Sequence, residues 1–293
     1  MHFKPPSQYW AHQRLMGSSC ARTRPYNHTR KMDMPTPAEI SIDGNKIDEV
    51  LETKFLGVTI DSRLTWLPHI DNLHKKLKSV TGILNRIKNE IPSENYKALY
   101  HALFESHLSY CLTVFGGVGS THLEKVFRTQ KHAIRLLFGD HEAYLEKSKT
   151  CARAREFGKQ VLGPEYYSKE HTKNLFTKHK ILAFTNIYEY QCSFEIFKIL
   201  KFGTPVALLE MLTPSLRNCS LRLLLPPLSG DFIHRGSKLW NTAIQALKLD
   251  GHISSIQVGS FKNRLKTALL ATQAKFGNEW HQYNFKLKSV LRQ

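Results

Sequence analysis

The sequence predicts a mainly α-helical protein with a small antiparallel β-hairpin or sheet near its amino terminus, an α+β arrangement. Two observations predict this class. Residues before position 61 alternate between apolar and polar around a turn dipeptide, and apolar residues after position 68 recur at steps of three and four. Hydrophobic residues make up 41% of the chain and charged residues 23%, so the chain can bury a core. We therefore expect a helical bundle followed by further C-terminal helices.

The first 37 residues show no apolar period, and they contain five prolines that would interrupt a helix. The segment is made basic by Arg14, Arg22, Arg24, Arg30 and Lys31. The segment could be an arm that contacts phosphates, a disordered leader, or sequence joined by a chance reading frame. Such a composition cannot order a chain by itself, which favours the last two interpretations.

Order is predicted to begin near residue 38. Residues 39–42 and 46–50 alternate between apolar and polar on either side of Asp43-Gly44, a pattern typical of a β-hairpin. A third run, residues 55–60, is rich in β-forming side chains and predicts another strand. Gly57 inside that run indicates a bulge or the close approach of another backbone.

Helices are predicted next. An apolar stripe extends from Pro68 to Pro92 through Ile70, Leu73, Leu77, Val80, Leu84, Ile87 and Ile91. A second helix opens at Ser93 and continues to Leu108. The glycine-rich residues 116–119 are interpreted as a flexible connection, and a third helix follows from Ser120 or Thr121 until Gly139 stops it.

The apolar pattern weakens between residues 140 and 170, where charged residues dominate. Residues 171–202 then predict one helix that ends at Gly203 and Pro205. Residues 212–235 predict a loop with a short extended run at 221–225, and two last helices are expected at 237–249 and 255–273. The predicted organisation is a basic leader (1–37), a hairpin with helices (38–140), a basic linker (141–170) and a C-terminal helical region (171–293).

The charge balance indicates the class of partner. Lys and Arg number 42 against 24 Asp and Glu, a net charge of +18 that attracts nucleic acid, anionic membranes or acidic proteins. The five cysteines form no C-x-x-C pair, which argues against a disulfide framework and for a reducing compartment. We find no stretch of membrane-spanning length and no signal peptide, so we expect an intracellular protein of the nucleus or cytoplasm, not secreted and without a membrane partner.

Catalytic motifs are absent from the sequence. Two-metal phosphoryl transfer needs converging carboxylates, which neighbouring Asp residues often supply, but this chain contains no Asp-Asp pair. It also contains no G-x-S-x-G, P-loop or H-E-x-x-H motif. We therefore predict neither catalytic residues nor a resident metal or cofactor.

Basic side chains decorate the predicted helices. The candidate nucleic-acid-binding residues are Lys75, Lys76, Lys78, Arg86 and Lys88 on the first helix and Arg128, Lys131 and Arg135 on the third. Cations at helical spacing can follow a phosphate backbone. A solvated amphipathic helix also carries lysines, so one stripe alone would favour that simpler interpretation, whereas several stripes with a net charge of +18 favour nucleic acid.

A series of motifs carries a family resemblance. The series is Ile42-Asp43-Gly44, Phe55-Leu56-Gly57-Val58-x-Ile60-Asp61, Leu64-x-Trp66-x-x-His69-Ile70, Leu108-Ser109-Tyr110-Cys111, Leu123-x-Lys125-Val126-x-x-x-Gln130-x-x-Ala133-Ile134-Arg135, Ser237-Lys238-Leu239-Trp240-Asn241 and Ser260-Phe261-Lys262-x-x-Leu265-Lys266. From residue 38 to residue 270, this series resembles the part of non-LTR retrotransposon reverse transcriptases that follows the catalytic palm. The family usually has Leu-Pro after Trp-Asn, where this chain has Thr242-Ala243.

The resemblance implies a truncated RNA-directed DNA polymerase. It implies that Phe55, Leu56 and Gly57 belong to the primer grip, which positions the growing DNA end, and that the next helices form the thumb. In the family, the catalytic Asp pair and the template-binding fingers precede this hairpin, where this sequence holds only the basic leader. The intact enzyme uses Mg²⁺, whose ligands are absent here, so we expect the chain alone to be inactive.

The resemblance also implies partners. An RNA–DNA duplex would be held without sequence specificity, and the palm portion of a reverse transcriptase would cover the hairpin. Phe55, Leu56 and Val58 are then expected to form an exposed apolar patch, while Trp240 and Phe261 are interpreted as packing residues. Two other interpretations stay open: a basic helical scaffold protein, and a decayed reading frame without selected function.

Overall fold

The computed structural model describes residues 41–42, 45–46, 50–118, 120–139, 172–215, 221–226, 232–249 and 253–275. In these ranges the chain is mainly α-helical with short antiparallel strands near its amino terminus, which confirms the predicted fold class. The predicted leader and basic linker lie outside these ranges. Among the helices described, none combines the length and the apolar character needed to cross a bilayer.

The strands form two hairpins. Strands β1 (Ser41–Ile42) and β2 (Asn45–Lys46) pair antiparallel around the predicted Asp43-Gly44 turn, whose residues lie outside the described ranges. Strands β3 (Glu52–Phe55) and β4 (Val58–Asp61) form the second antiparallel pair. Strand β4 packs on the first long helix, whereas every residue of β3 is exposed.

The prediction of a single strand over residues 55–60 is wrong. Leu56 (φ 46°) and Gly57 (φ 81°) form a two-residue turn between β3 and β4. A hairpin turn of this kind needs positive φ at both central residues, which glycine adopts freely and which strains leucine. The apolar Leu56 therefore made two strands resemble one continuous run, and Gly57 serves the turn and not a bulge.

The amino-terminal helices pack around one long pair. Helix α1 (Leu67–Ile87) buries the predicted apolar stripe, and helix α5 (Ser120–Phe138) lies along it. Between them lie the 3₁₀ turn Ser93–Asn95, α2 (Tyr96–Leu99), the π-helical turn Tyr100–Glu105, α3 (Ser106–Ser109) and α4 (Leu112–Phe115). The predicted second helix is thus a series of connected helical turns.

The C-terminal part contains α6 (Thr172–Lys178), α7 (Phe184–Phe202), α8 (Val206–Glu210), α9 (Phe232–Leu247) and α10 (Val258–Lys275), with a 3₁₀ turn at Ile253–Ser255. The prediction of one helix over 171–202 is wrong, because Lys180 has a positive φ (53°) and residues 181–183 are not helical. Gly203 ends α7 in the left-handed conformation, as predicted.

The glycine-rich residues 116 and 117 are packed, so the predicted flexible connection is wrong there. A Cβ on Gly116 would lie 2.5 Å from the carbonyl oxygen of Leu112 and 2.5 Å from the ring of Tyr188. A Cβ on Gly117 would overlap the guanidinium of Arg235. Glycine is needed at Gly116, where backbone and a ring of α7 approach closely, whereas the Arg235 side chain of α9 could move away from a substituent at Gly117.

Two hydrophobic cores share helix α7. The first core contains buried side chains between Ile70 and Ile187, and the second contains those between Ile196 and Leu265. In the second core the rings of Phe197 and Phe261 stack at 4.1 Å, and Trp240 is fully buried beside them. The prediction that Trp240 and Phe261 are packing residues is confirmed.

The Trp-Asn motif also holds an extended segment. The indole of Trp240 donates to the carbonyl of Leu221 at 2.7 Å. The Asn241 side chain accepts from the N–H of Leu223 at 2.9 Å and donates to its carbonyl at 2.8 Å. Leu223 also forms an antiparallel bridge with Pro214. This confirms an extended run near residues 221–225.

Gln130 of α5 holds the segment between α6 and α7. Its amide donates to the carbonyl of Leu182 at 3.0 Å and accepts from the N–H of Phe184 at 2.8 Å. It also donates to the hydroxyl of Tyr100 at 2.8 Å. Because this glutamine is fully buried, it satisfies backbone groups that would otherwise be orphaned inside the core.

Gln273 of α10 holds the same segment from the other side. Its amide donates to the carbonyl of Ile181 at 2.9 Å and accepts from the N–H of Ala183 at 2.9 Å. The amide of Asn186 donates to the same Gln273 oxygen at 2.9 Å. The last helix is thereby joined to the first core.

Candidate nucleic-acid interface

Asp61 fixes the passage from the hairpin to α1. Its carboxylate accepts hydrogen bonds from the N–H and hydroxyl of Thr65 at 3.0 and 2.9 Å and from the N–H of Trp66 at 2.8 Å. Burial would raise the pKa of Asp61, but the bonds from Thr65 and Trp66 outweigh it and lower this pKa. The charged carboxylate of Asp61 therefore holds the loop that leads into α1, and Trp66, the residue before this helix, is left-handed (φ 62°).

His69 ties strand β4 to α1. The N–H of Thr59 donates to Nδ1 of His69 at 3.3 Å, and the imidazole meets the ring of Phe115 edge-on at 4.7 Å. Burial lowers the pKa of His69, so the neutral ring is favoured. The acceptor role of Nδ1 assigns the proton to Nε2. The motif residues Asp61 and His69 thus orient the hairpin on the helix.

Tyr110 holds the tip of the hairpin. Its hydroxyl donates to the carbonyl of Leu56 at 2.6 Å, and its ring lies 3.6 Å from where a Cβ on Gly57 would stand. Its neighbour Ser109 accepts from the side-chain amide of Gln191 on α7 at 3.0 Å. The Leu108-Ser109-Tyr110 motif at the end of α3 therefore contacts both the β3–β4 turn and helix α7.

The three primer-grip-like residues lie together at this turn. Phe55 is 63% exposed and Leu56 73%, whereas Val58 is 7% exposed and contributes to the core. The predicted open apolar patch is confirmed at Phe55 and Leu56 and is wrong at Val58, because β4 packs on α1 and β3 does not. Val50 and Leu51, at 59% and 77% exposed, add two apolar side chains just before β3.

One face of α1 is basic and open. Lys75, Lys78 and Arg86 are exposed on it at helical spacing, with Ser79 and Gly82 between them. A Cβ on Gly82 would meet nothing within 4 Å. Among the ion pairs found in the described ranges, none involves these three cations. The result is a positive strip without bulky side chains at its centre.

The other two candidate cations of α1 lie elsewhere. Lys76 is exposed on the side of the helix near α3, where burial first and the charge of Lys76 second lower the pKa of His107. Lys88 is only 5% exposed, so it is poorly placed to meet a ligand. The open strip therefore contains three of the five candidate cations that the sequence predicts on α1.

The candidate cations of α5 are largely engaged. Arg128 pairs with Glu124, and the ammonium of Lys131 lies 4.5 Å from the centre of the Phe127 ring. Lys131 is 9% exposed, and burial, followed by the charges of Arg135 and Arg128, lowers its pKa. Arg135 is half-buried. Burial thus limits Lys131 and Arg135, whereas Arg128 stays exposed despite its ion pair.

Sequence reasoning missed two features of the site. Gly82 stands four residues from both Lys78 and Arg86, and a glycine inside a predicted helix is a signal that could have been noticed. The pairing of Lys125 on α5 with Asp71 on α1 depends on how two helices pack, and no local signal announces it.

The described carboxylates do not form a metal site. The carboxylate of Asp61 accepts hydrogen bonds from Thr65 and Trp66, and that of Asp71 pairs with Lys125. Within the described parts of the chain, no three His, Cys, Asp or Glu side chains converge as metal ligands would. These residues therefore do not match the paired Mg²⁺ ions that the family resemblance implies for the whole enzyme, and we derive no catalytic step from them.

In the described residues an amino-terminal hairpin leads into a basic helix of a mainly α-helical chain. The chain is similar to RNA-directed DNA polymerases of non-LTR retrotransposons, which confirms the resemblance carried by its motifs. No model of a known protein family matches the chain, and no solved structure matches it.

Three curated relatives support this statement. The polymerase of mobile element jockey from Drosophila funebris is 26% identical over 132 residues, which cover 41% of this chain and 14% of the relative. The jockey polymerase of Drosophila melanogaster is 25% identical over 138 residues, covering 45% and 14%. The probable polymerase of transposon BS from Drosophila melanogaster is 25% identical over 113 residues, covering 37% and 12%. The matched part thus spans about a seventh of these relatives.

Proposed function

We propose that this chain is the part of a retrotransposon reverse transcriptase that holds the primer–template duplex through its sugar-phosphate backbone, and that it contains no catalytic carboxylates of its own. One observation carries the proposal: the exposed face of α1 presents Lys75, Lys78 and Arg86 around an open glycine. The similarity to RNA-directed DNA polymerases supports nucleic acid as the ligand class.

The spacing of these cations suits a polyanion. From Lys75 to Arg86 the helix rises about 16 Å at 1.5 Å per residue. A duplex carries roughly one negative charge per 1.7 Å of its axis, so several phosphates lie within reach of this strip. Contacts of this kind position a duplex without reading its sequence.

Gly82 adds a steric argument. A glycine inside a helix costs roughly 1 kcal/mol relative to alanine. No neighbouring atom requires the absence of a side chain at this position, because the space above Gly82 is empty. An exposed glycine between cations allows another backbone to approach closely, which is what a bound duplex would do.

The apolar tip of the second hairpin suits a protein partner. We propose that Val50, Leu51, Phe55 and Leu56 pack against the catalytic palm portion that the resemblance places before this hairpin. These side chains are all at least 59% exposed. Exposed apolar clusters on soluble proteins commonly mark interaction sites, and Leu56 also occupies a strained turn position.

A matched pair of triple variants tests the duplex contact. In K75Q/K78Q/R86Q the affinity for a short RNA–DNA duplex should fall at least about tenfold at low salt, because three phosphate contacts are lost. The control K178Q/K180Q/K248Q removes the same charge from exposed positions elsewhere. An equal effect of the two triple variants would support the alternative of a basic scaffold protein whose charge serves solubility.

Primer extension tests the absence of catalysis. The purified chain, given a primed RNA template, deoxynucleotides and Mg²⁺, should incorporate nothing above the background of a buffer control. Incorporation that persists through repeated purification would contradict the proposal that this chain contains no catalytic carboxylates.

A further inference from the structure

Two lysines from different helices converge on one ring in the C-terminal part. The ammonium of Lys262 on α10 lies 4.7 Å from the centre of the Phe194 ring, and that of Lys198 on α7 lies 5.3 Å from the same centre. The negative face of an aromatic ring attracts cations, so Phe194 interacts favourably with both ammonium groups.

The ring itself is held in place by its neighbours. Phe194 stacks with Tyr190 at 6.2 Å and with Phe197 at 6.3 Å. Phe197 is fully buried against Phe261 and Trp240 in the second core. The two ammonium groups are therefore presented from a rigid base, and little conformational freedom would be lost when they bind a ligand.

The local charge is positive. Lys198 pairs with Glu195 at 2.7 Å, and both side chains are about two-fifths exposed. Lys262 is exposed, and in the parts of the chain that the structure describes it has no ion pair. Lys266 follows one turn later on α10. Around Phe194 the described contacts thus bring together two ammonium groups and one carboxylate, that of Glu195, which leaves a net positive surface on α7 and α10.

We infer that Lys198 and Lys262 form a second contact for the phosphate backbone of a nucleic acid, separate from the face of α1. This inference rests on the proposed function, because the similarity to RNA-directed DNA polymerases is what favours nucleic acid over other polyanions. Each ammonium group can donate hydrogen bonds to a phosphate oxygen of the backbone. Cations presented beside an aromatic surface are also typical of nucleic-acid-binding grooves.

The salt dependence of binding tests the second contact. For a short RNA–DNA duplex and for a single strand of the same length, the logarithm of affinity is measured against the logarithm of salt concentration. In K198Q/K262Q the slope should become shallower by about two relative to the unsubstituted chain, one for each lost phosphate contact. The probe with the larger change identifies whether duplex or single strand occupies this surface.

Two further variants control for folding and for bulk charge. K198R/K262R should restore the slope because arginine keeps the charge and also stacks on aromatic rings. K178Q/K248Q removes two exposed charges elsewhere and should change the slope by much less. A K198Q/K262Q slope equal to that of this control, for both probes, would overturn the inference and leave the lysine stems as mere packing on Phe194.

The triple variant of α1 separates this inference from the proposed function. A loss of slope in K75Q/K78Q/R86Q with none in K198Q/K262Q keeps the α1 contact and overturns the second one. The reverse result keeps the second contact and overturns the first. E195Q, which removes the competing carboxylate, should tighten binding, and weaker binding by E195Q would also count against the second contact.

Discussion

Leu56 is the residue that made the turn between β3 and β4 difficult to predict from the sequence. Hairpin turns with two positive φ values favour asparagine and glycine, and here leucine takes the first position while remaining 73% exposed. Neither the backbone strain at Leu56 nor the exposure of its side chain stabilises the isolated chain. The strain is consistent with a side chain kept for an external contact, as proposed for the hairpin tip.

Replacing Leu56 by asparagine should therefore stabilise the hairpin. Asparagine tolerates the left-handed conformation, so L56N should raise the free energy of local opening of the β3–β4 pair by about 0.5–1 kcal/mol. Hydrogen exchange of the hairpin amides measures this directly. G57A should have the opposite effect, and faster exchange in L56N would show that strain at this turn is not significant.

Loss of the Asp61 carboxylate is expected to lower the free energy of unfolding more than loss of the exposed Asp71 carboxylate. D61N weakens hydrogen bonds to Thr65 and Trp66, because an amide nitrogen cannot accept them, so the free energy of unfolding should fall by about 1–2 kcal/mol. D71N removes only the exposed pair with Lys125 and should cost less than about 1 kcal/mol. Denaturant titration compares the two variants, and equal losses would contradict the role of Asp61 in holding the loop before α1.

His69 should make stability depend on pH. Burial lowers the pKa of His69 in the folded chain, so the unfolded chain binds the proton more readily. The contribution of His69 to the free energy of unfolding should accordingly be constant above the ordinary histidine pKa of about 6.5 and decrease as the pH falls below it. His74, His107 and His179, whose pKa values are also lowered by burial, act in the same direction.

A substitution isolates the contribution of His69 to the pH dependence of stability. H69N keeps an acceptor for the N–H of Thr59 but cannot titrate, so the fall in stability between about pH 7 and about pH 5 should become shallower. H122N, at an exposed position on α5, is the control. Thermal unfolding at several pH values gives the comparison, and an unchanged pH dependence in H69N would contradict this account of His69.

At the scale of elements, Gly82 separates helix stability from binding. G82A should raise the free energy of unfolding by about 0.5–1 kcal/mol through helix propensity alone. G82L should keep the fold, since nothing lies within 4 Å of a Cβ there, but should weaken duplex binding by blocking close approach. A246L places the same side chain on an exposed position of α9 and should leave binding unchanged. Equal duplex affinities of G82L and the unsubstituted chain would contradict the proposed approach.

The long helices were predictable because their signals are local. The stripe from Ile70 to Leu84 and the flanking Pro68 predict α1, and Ser120 and Gly139 bracket α5. The break between α6 and α7 was not predictable in this way. Its backbone groups are satisfied by Gln130 and Gln273, which lie about 50 and 90 residues away in sequence.

At the scale of the whole molecule, these two glutamines should act together. Q130L and Q273L each leave buried backbone groups without partners, so each should lower the free energy of unfolding by about 2–4 kcal/mol. Both hold one segment, so the double variant should lose less than the sum of the single losses by about 1 kcal/mol or more. Urea unfolding of the four proteins tests this, and strict additivity would show that α5 and α10 do not share the segment.

The candidate site was predictable only in part, because the exposure of its cations depends on contacts between helices. The net charge of +18 and the motif series indicate the ligand class and the region. They do not reveal that Lys88 is buried, that Arg128 pairs with Glu124, or that the strip on α1 remains open. Those facts depend on packing between helices, which spacing within a single helix does not determine.

The central claim is that this chain binds a duplex through phosphate contacts, and the salt dependence of duplex affinity tests it most directly. Three contacts on α1 predict a slope of about −2.7 or steeper when the logarithm of the association constant is plotted against that of salt concentration. A slope close to zero for the unsubstituted chain would contradict the claim, whatever the affinity at a single salt concentration.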